Sequence, residues 1–354
     1  MKVMAISSSP RGGGQSKTEI MLSALVKGMR SSGAEVHEVF LRTHKIHYCT
    51  GCYTCWTKTP GVCQLKDDMT RKLFPLFLES DLVVYASPLY HFTMNACMKA
   101  FIERTLPMVQ PFLVDKGGRT SHPLRTKPPA SVMLSVAGFP EISVFQHLSS
   151  HVRFLFGKGL LGEIYRPAAE LLNNPAFKRT VDDILEATTE AGRELVESSR
   201  IKDATMQRIT QTICDTESLR MLGDLMWKTC ISEGVTTKEF QARGMVPRPD
   251  SIASFLAVMK IGFNPKKAAD TQAVLQFTFT GTVAGTCHLV IDKGKIVGYT
   301  GAAPQPDLSI TAPFDTWMDV ITKKADGAQL FVDRKYTAEG NLDLLMNMAK
   351  LFGT

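Results

Sequence analysis

Four cysteines lie within fifteen residues of this sequence, at Cys49, Cys52, Cys55 and Cys63. Spacing this tight lets several thiolates converge on one metal centre, which is what an iron–sulfur cluster requires. Four thiolates would also satisfy a zinc ion, and cysteines that bind no metal serve as structural residues or form redox-active disulfides. The cluster therefore predicts metal or redox chemistry and leaves three alternatives open: an iron–sulfur cluster, zinc, or no metal.

A second chemical motif lies near the start of the chain, where the apolar run at residues 3–6 leads into the segment SSSPRGGGQSKT. A loop of this kind between a strand and a helix offers free backbone amides, hydroxyls and positive charge to an anion. We expect a terminal phosphate to be bound by residues of this loop, namely Ser7, Ser9, Pro10, Arg11, Ser16, Lys17 and Thr18.

The spacing of this loop excludes two other nucleotide motifs. A Walker A loop has Gly directly before its Lys, and here Ser16 stands before Lys17. A dinucleotide fingerprint needs G-x-G-x-x-G directly after the strand, and this strand runs into serines. A phosphate monoester held by hydroxyls suits FMN better than it suits a pyrophosphate.

The elements that must position these residues alternate between apolar strands and helices. We expect strands at 3–6, 36–41, 82–86, 131–136 and 160–165, and helices from about Ser16 and at 69–79, 95–105 and 175–200. This alternation is typical of a doubly wound, five-stranded parallel sheet in an α/β fold. Ligands bind at the carboxyl ends of such strands, which adds the segments after the third and fourth strands to the predicted site.

The loop and the segment after the third strand together resemble the NADPH-dependent FMN reductase family, which has a flavodoxin-like fold. The resemblance implies FMN as cofactor, NAD(P)H as electron donor and a homodimer or homotetramer. The family usually has Gly-Ser where this chain has Ser7-Ser8, and Asn where it has Lys17. The resemblance also implies that the flavin ring is lined by Ser87, Pro88, Leu89 and Tyr90. We expect Ala137 and Gly138, at the end of the fourth strand, to reach the ring from its other side.

The cysteine pattern resembles the compact motif of iron–sulfur flavoproteins, a branch of the same superfamily. This resemblance implies a [4Fe-4S] cluster near FMN and a ferredoxin-like electron carrier as partner. The sequence does not identify a catalytic acid, and Tyr90, His91 and His47 are the nearby candidates.

The pattern changes after the proline-containing segment at residues 245–250. Leu275, Phe277 and Phe279 alternate with polar residues, as in a half-buried strand, and the Asp-Lys-Gly at 292–294 indicates a hairpin. We predict an α+β domain with an antiparallel sheet. Residues 251–354 resemble the SCP2 sterol-carrier family, which implies an apolar ligand such as a sterol or fatty acyl chain; the alternative is a structural or docking module.

Length and composition favour a two-domain globular protein. The chain has 354 residues, 44% of them hydrophobic, and a net charge of +7. We expect a cytoplasmic protein with no transmembrane segment and no nucleic-acid partner, because no basic run with interleaved aromatics appears.

The predicted domains are residues 1–200, which bind FMN, and residues 251–354, which resemble SCP2, with a helical linker at 201–250 between them. The predicted function is an FMN-dependent oxidoreductase; the alternative is a non-enzymatic lipid-binding or flavin-sensing protein.

Overall fold

The computed structural model describes residues 1–352. They form two compact units, an N-terminal unit over Met1–Ile213 and a C-terminal unit that begins at Cys214. The N-terminal unit extends past the predicted boundary at residue 200. Arg166, which is 1% exposed, makes hydrogen bonds to residues beyond that boundary. Its Nη1 donates to the carbonyl oxygens of Ile209 at 2.7 Å and of Gln211 at 2.8 Å.

The N-terminal unit alternates strands and helices. Its longer strands are β1 (Lys2–Ser7), β2 (Glu35–Phe40), β3 (Leu82–Tyr90), β4 (Ala130–Val136) and β5 (Leu160–Arg166). Its helices are α1 (Lys17–Ser31), α2 (Phe74–Glu79), α3 (Ala96–Glu103), α4 (Gln146–Phe156), α5 (Lys178–Ser198) and α6 (Asp203–Thr210). A π-helical turn, Met69–Leu73, leads into α2, and a short strand, Thr93–Met94, pairs antiparallel with the end of β3.

The five longer strands form one parallel sheet in the order β2-β1-β3-β4-β5. This is the strand order of flavodoxin-like folds, and the predicted doubly wound sheet is confirmed. Alternate side chains of β1 enter two different cores, with Val3 and Ala5 in one and Met4 and Ile6 in the other. The central strands β1, β3 and β4 are therefore buried on both faces, as their continuous apolar sequences predict, whereas the edge strand β2 carries charged residues and is only partly buried.

Two glycines allow α1 and α5 to approach closely. A Cβ on Gly28 would lie 1.8 Å from the carbonyl oxygen of Thr189, and a Cβ on Gly192 would lie 2.1 Å from that of Leu25. No side chain fits at either distance, so both positions require glycine. This contact packs α5 against the helix that begins at the phosphate loop.

The C-terminal unit combines helices with a second sheet. Its helices are α7 (Thr216–Glu233), α8 (Thr237–Ala242), α9 (Ile252–Gly262), α10 (Pro265–Ala268), α11 (Phe314–Ile321), α12 (Gly327–Val332) and α13 (Leu342–Leu351). Its strands are β6 (Gln272–Thr280), β7 (Gly285–Asp292), β8 (Lys295–Thr300), β9 (Leu308–Pro313) and β10 (Thr337–Gly340), which follow the order β8-β7-β6-β9-β10.

The predicted hairpin joins β7 and β8, and three of the neighbouring pairs are antiparallel. The predicted α+β domain is confirmed, and its sheet departs from the antiparallel pattern at one pair, because β9 pairs with β6 in parallel. Residues 301–307 carry the chain from β8 to the far side of β6, so that Leu308 lies opposite Leu275 and β9 runs in the same direction as β6.

Candidate functional site

The loops after β1 and β3 lie together at the carboxyl edge of the sheet, where the strand order reverses. The amide of Ser8 donates to the carbonyl of Ala86 at 2.9 Å. Asn95, which caps α3, donates from Nδ2 to the carbonyl of Ser8 at 2.7 Å, and its amide donates to Ser87 Oγ at 3.1 Å. Asn95 therefore joins the two segments that were predicted to hold the phosphate and the ring, although it lies outside the predicted set.

The serine hydroxyls of the phosphate loop have hydrogen-bond partners within the protein. Ser7 Oγ donates to Glu19 Oε1 at 3.0 Å, and Ser16 Oγ caps α1 by accepting from the Glu19 amide at 3.1 Å. Ser9 Oγ accepts from the Arg11 amide at 3.2 Å, Pro10 is exposed, and Thr18 is buried. Ser7 thus uses its hydroxyl donor on Glu19, whereas Ser9 and Ser16 only accept and keep an O–H donor for an anion, beside the amides of Lys17 and Thr18 at the start of α1.

Two cations of the loop face one carboxylate. Arg11 Nη1 lies 3.4 Å from Glu170 Oε1, and Lys17 Nζ lies 3.7 Å from Glu170 Oε2. The Lys17 side chain is 5% exposed, and burial lowers its pKa although Glu170 acts in the opposite direction. In this structure Glu170 thus supplies the negative charge that both cations contact.

The glycines of the loop leave room for a ligand. Gly13 and Gly14 have φ of 63° and 78°, a left-handed conformation that favours glycine. A Cβ at either position would have no atom of residues 1–352 within 4 Å. An open, glycine-rich cradle at a helix N-terminus, flanked by two cations, fits the phosphate group of FMN.

The predicted ring-binding segments flank this cradle. Ser87 is buried, Pro88 and Leu89 are half-buried, and Tyr90 is exposed at the end of β3. After β4, the Ala137 amide donates to the carbonyl of Arg166 at 3.0 Å. A Cβ on Gly138 would lie 3.9 Å from Glu170 Cγ, which places this segment beside the residue that contacts the phosphate loop.

The turn after β3 has a strained backbone. His91 and Phe92 have φ of 46° and 63°, values that cost energy in residues with a Cβ. The exposed ring of Phe92 stacks on that of Phe139, with centroids 6.2 Å apart and planes 12° from parallel. Phe92 and Phe139 thus join the β3 and β4 segments through an aromatic pair that the sequence did not reveal.

The four clustered cysteines line a single pocket, together with Arg104 and other residues. None of the eight cysteines, all within the described residues, forms a disulfide. Hydrogen bonds, chiefly from Thr54, lower the pKa of Cys52 to about 7, whereas burial and the neighbouring thiolates raise the pKa of Cys55. Within residues 1–352, no group of three or more His, Cys, Asp or Glu side chains is arranged to hold a metal ion.

A buried ion pair lies beside this pocket. Arg104 Nη1 donates to Asp67 Oδ2 at 2.6 Å, and both side chains are at most 1% exposed. Asp67 also accepts from the amides of His47 and Thr70. Burial alone would raise the pKa of Asp67, but the hydrogen bonds from Arg104 and the two amides lower it to about 2. His47 contributes its backbone here, so its imidazole takes no part in this pair.

The interior of the C-terminal unit is filled by aromatic side chains. The ring of Phe255 lies 5.0 Å from those of both Phe277 and Phe279, and Trp317 lies 5.7 Å from Phe277, measured between centroids. These four residues are at most 2% exposed. A sterol or acyl chain entering between this sheet face and its helices would therefore have to displace aromatic side chains.

Comparison with known protein families agrees with both sequence resemblances. Residues 1–165 match the NADPH-dependent FMN reductase family. Residues 261–353 match the SCP-2 sterol transfer family. The FMN reductase match contains the phosphate loop, the cysteine pocket and both ring-flanking segments.

Curated relatives carry the name of iron–sulfur flavoproteins. One from Archaeoglobus fulgidus is 46% identical over 107 residues, which are 30% of this chain and 46% of the relative. One from Methanocaldococcus jannaschii is 29% identical over 108 residues, which are 30% of this chain and 53% of the relative. The chain thus spans about half the length of the curated relatives it matches.

Solved structures with similar architecture include an NAD(P)H:quinone oxidoreductase from Methanothermobacter marburgensis. It is 17% identical, with 55% of this chain and 96% of that chain covered, and the TM-score is 0.41. An azoreductase from Bacillus anthracis is 15% identical, with 55% of this chain and 98% of that chain covered, at a TM-score of 0.41.

Among the described residues, no helix has the length and apolar character needed to cross a membrane.

Proposed function

We propose that this chain is an FMN-dependent oxidoreductase. The observation that supports the proposal is the meeting of three segments at the reversal point of the parallel sheet: the phosphate loop, the end of β3 and the segment after β4. Ligands of open α/β sheets bind at this point. The match of residues 1–165 to the FMN reductase family points to the same cofactor.

FMN would be held by the residues that surround the cradle. The first-turn amides of α1, with Arg11 and Lys17, would bind the phosphate, and residues 87–90 with Ala137 and Gly138 would flank the ring. The bound flavin supplies hydride or single-electron chemistry, while the protein positions it and sets its electrostatic surroundings. Tyr90 and His91, which follow one another at the end of β3, are candidates to move a proton.

We propose further that Cys49, Cys52, Cys55 and Cys63 hold a [4Fe-4S] cluster. The four residues line one pocket and form no disulfide. A zinc ion needs its sulfurs to converge on one point, whereas a cluster spreads its cysteines around four irons and four sulfides. The curated relatives are named iron–sulfur flavoproteins, which supports the same choice.

The two proposed centres define the redox partners. A cluster passes single electrons, so a ferredoxin-like carrier is the partner that its presence favours, and NAD(P)H is the donor if no cluster forms.

We propose a homodimer or homotetramer, for which sedimentation at micromolar concentration is the test. For the C-terminal unit we propose an apolar ligand on the basis of the SCP-2 match, tested by extracting lipid from the purified protein.

The decisive experiment is a visible absorption spectrum of protein purified without oxygen, with iron and acid-labile sulfide measured on the same sample. We expect flavin bands, a broad brown absorbance and about four irons per chain. The variant C63A should lose iron, whereas C97A, whose thiol lies outside the pocket, should retain it. Flavin without iron would indicate a nicotinamide-driven reductase, and loss of flavin with retained lipid would favour a non-enzymatic binding protein.

A further inference from the structure

Arg104 has one donor that the surrounding protein leaves without an acceptor. Its Nη1 donates to Asp67 Oδ2 and to the carbonyl of His47 at 2.7 Å. Its Nη2 donates to Asp67 Oδ1 at 3.1 Å and to Thr70 Oγ1 at 2.9 Å. Its Nε is buried and has no hydrogen-bond partner among the residues that the structure describes. Buried donors in native proteins are almost always paired, so this one calls for an acceptor.

The pocket beside the guanidinium offers sulfur as an acceptor. Arg104 lines this pocket together with Cys49, Cys52, Cys55 and Cys63, and the side chain of Cys63 interacts with that of Arg104. The carboxylate of Asp67 already engages both Nη atoms, which leaves the sulfur of Cys63 as the acceptor for Nε.

Asp67 also fixes the direction of the remaining donor. The guanidinium is planar, and two parallel hydrogen bonds to one carboxylate hold it in a defined orientation. Both partners are at most 1% exposed, so solvent does not compete for either. The Arg104 guanidinium is therefore rigid and buried, and its Nε–H is unpaired within residues 1–352. Such a group is suited to a permanent anionic acceptor, for example a metal-bound sulfur.

We propose that Arg104 is a positioning residue for the iron–sulfur cluster and that its Nε donates a hydrogen bond to the sulfur of Cys63. The inference rests on the proposed cluster. Hydrogen bonds to the sulfurs and nearby positive charge favour the reduced, more negative form of a cluster and so raise its reduction potential. Arg104 thus sets the potential at which the cluster exchanges electrons, in addition to joining α3 to the cysteine loop.

The first test uses the unaltered chain with arginine labelled with ¹⁵N at Nε. After reduction of the cluster, pulsed electron paramagnetic resonance should detect a ¹⁵N coupling to its spin that is missing from unlabelled protein. The absence of this coupling in a protein with four irons per chain would overturn the inference. The measurement needs no substitution, so a folding defect cannot obscure it.

The second test compares reduction potentials of variants. R104Q removes the charge and R104K keeps the charge without the Nε donor, and we expect both to shift the cluster to a more negative potential, R104Q by more. T70V is the matched control, because it removes an acceptor from Nη2 and leaves Nε in place. Equal shifts in T70V and R104K would show a merely structural effect and overturn the inference.

Failure of this inference is distinguishable from failure of the proposed function. A chain that binds FMN and four irons without the ¹⁵N coupling would contradict the role of Arg104 alone. A chain that binds FMN and no iron would overturn the cluster and this inference together, while the flavin proposal would stand.

Discussion

Glu170 Oε2 lies 3.7 Å from Lys17 Nζ at the loop that we propose binds the phosphate of FMN. The same carboxylate contacts Arg11 on the other side of the loop. It is half-exposed, so its interaction with either cation is weakened by solvent. A phosphate entering the cradle would meet a negative charge that already engages the loop's cations.

We therefore expect Glu170→Gln to bind FMN more tightly. Removal of one charge about 4 Å from the ligand changes its binding free energy by about 1 kcal/mol in water, or roughly five-fold in affinity. Quenching of flavin fluorescence during titration measures the change. Glu79→Gln, the same charge change on α2, is the control. Weaker binding in E170Q would show instead that Glu170 holds the cradle open.

Asn95 offers a test of the link between the phosphate loop and the ring segment. Asn95→Ala removes the cap of α3 and the donor to Ser8, so we expect the free energy of unfolding to fall by about 1–2 kcal/mol. FMN affinity should fall as well, because the two segments lose their common anchor. Asn174→Ala removes a comparable cap at 175–177 and should leave FMN affinity unchanged in the same urea and titration experiments.

The ion pair of Asp67 and Arg104 predicts a specific acid response. The pKa of Asp67 is lowered to about 2 in the folded chain and is about 3.9 when unfolded. Its stabilising effect is therefore complete above about pH 4 and is lost as the pH falls towards 2. Asp67→Asn should destabilise the chain by about 3–5 kcal/mol at pH 7, since it leaves Arg104 buried without a counter-charge.

Urea unfolding of both proteins between pH 7 and pH 2 measures this effect. The difference between the original chain and D67N should narrow from about pH 4 downwards. Asp182→Asn, which removes an exposed carboxylate paired with Lys178, should change stability by no more than about 1 kcal/mol. A constant difference at every pH would show that the lost hydrogen bonds, and not the charge, destabilise D67N.

The contact between α1 and α5 predicts an intolerance of small substitutions. Gly28→Ala would place its methyl group 1.8 Å from the Thr189 carbonyl oxygen, so the helices would have to separate. We expect a loss of about 3 kcal/mol or failure to fold. Gly223→Ala in α7 meets no atom within 4 Å and should be neutral or stabilising by up to about 1 kcal/mol. Thermal unfolding distinguishes the two.

His91 lies in the strained turn after β3, and replacing it can distinguish a conformational role from a chemical one. His91 has φ of 46°, which glycine adopts without strain, so His91→Gly should raise the free energy of unfolding by about 1 kcal/mol. Urea unfolding and turnover should be measured together. A large fall in turnover in this more stable variant would identify the imidazole as a proton donor, and lower stability would contradict the strain argument.

The strands were predictable because they depend on local pattern. Apolar residues marked all five parallel strands, although β2 and β5 also contain charged residues. The rule that ligands bind at the carboxyl ends of such strands led to the segments that we propose as the site. The four cysteines were found for a similar reason, since their spacing in sequence brings them to one pocket.

The remaining residues of the site were not predictable because their partners are distant in sequence. Glu170 lies 159 residues from Arg11, and Arg104 lies 37 residues from Asp67. Nothing in the local sequence of either acid indicates its partner. Likewise, the alternation in Leu275, Phe277 and Phe279 is the same whether the neighbouring strand is parallel or antiparallel, so the direction of β9 could not be inferred.

Arg166 has a consequence for how this gene could have been assembled. The residue belongs to the last strand of the parallel sheet, yet its buried charge is satisfied by carbonyls of residues 209 and 211. A recombination event that joined the proposed flavin-binding module to a new downstream domain just after residue 200 would remove these carbonyls. The buried guanidinium of Arg166 would then lack these acceptors. Functional fusions of this module should therefore have their junctions beyond residue 211, with α6 inherited as part of the module.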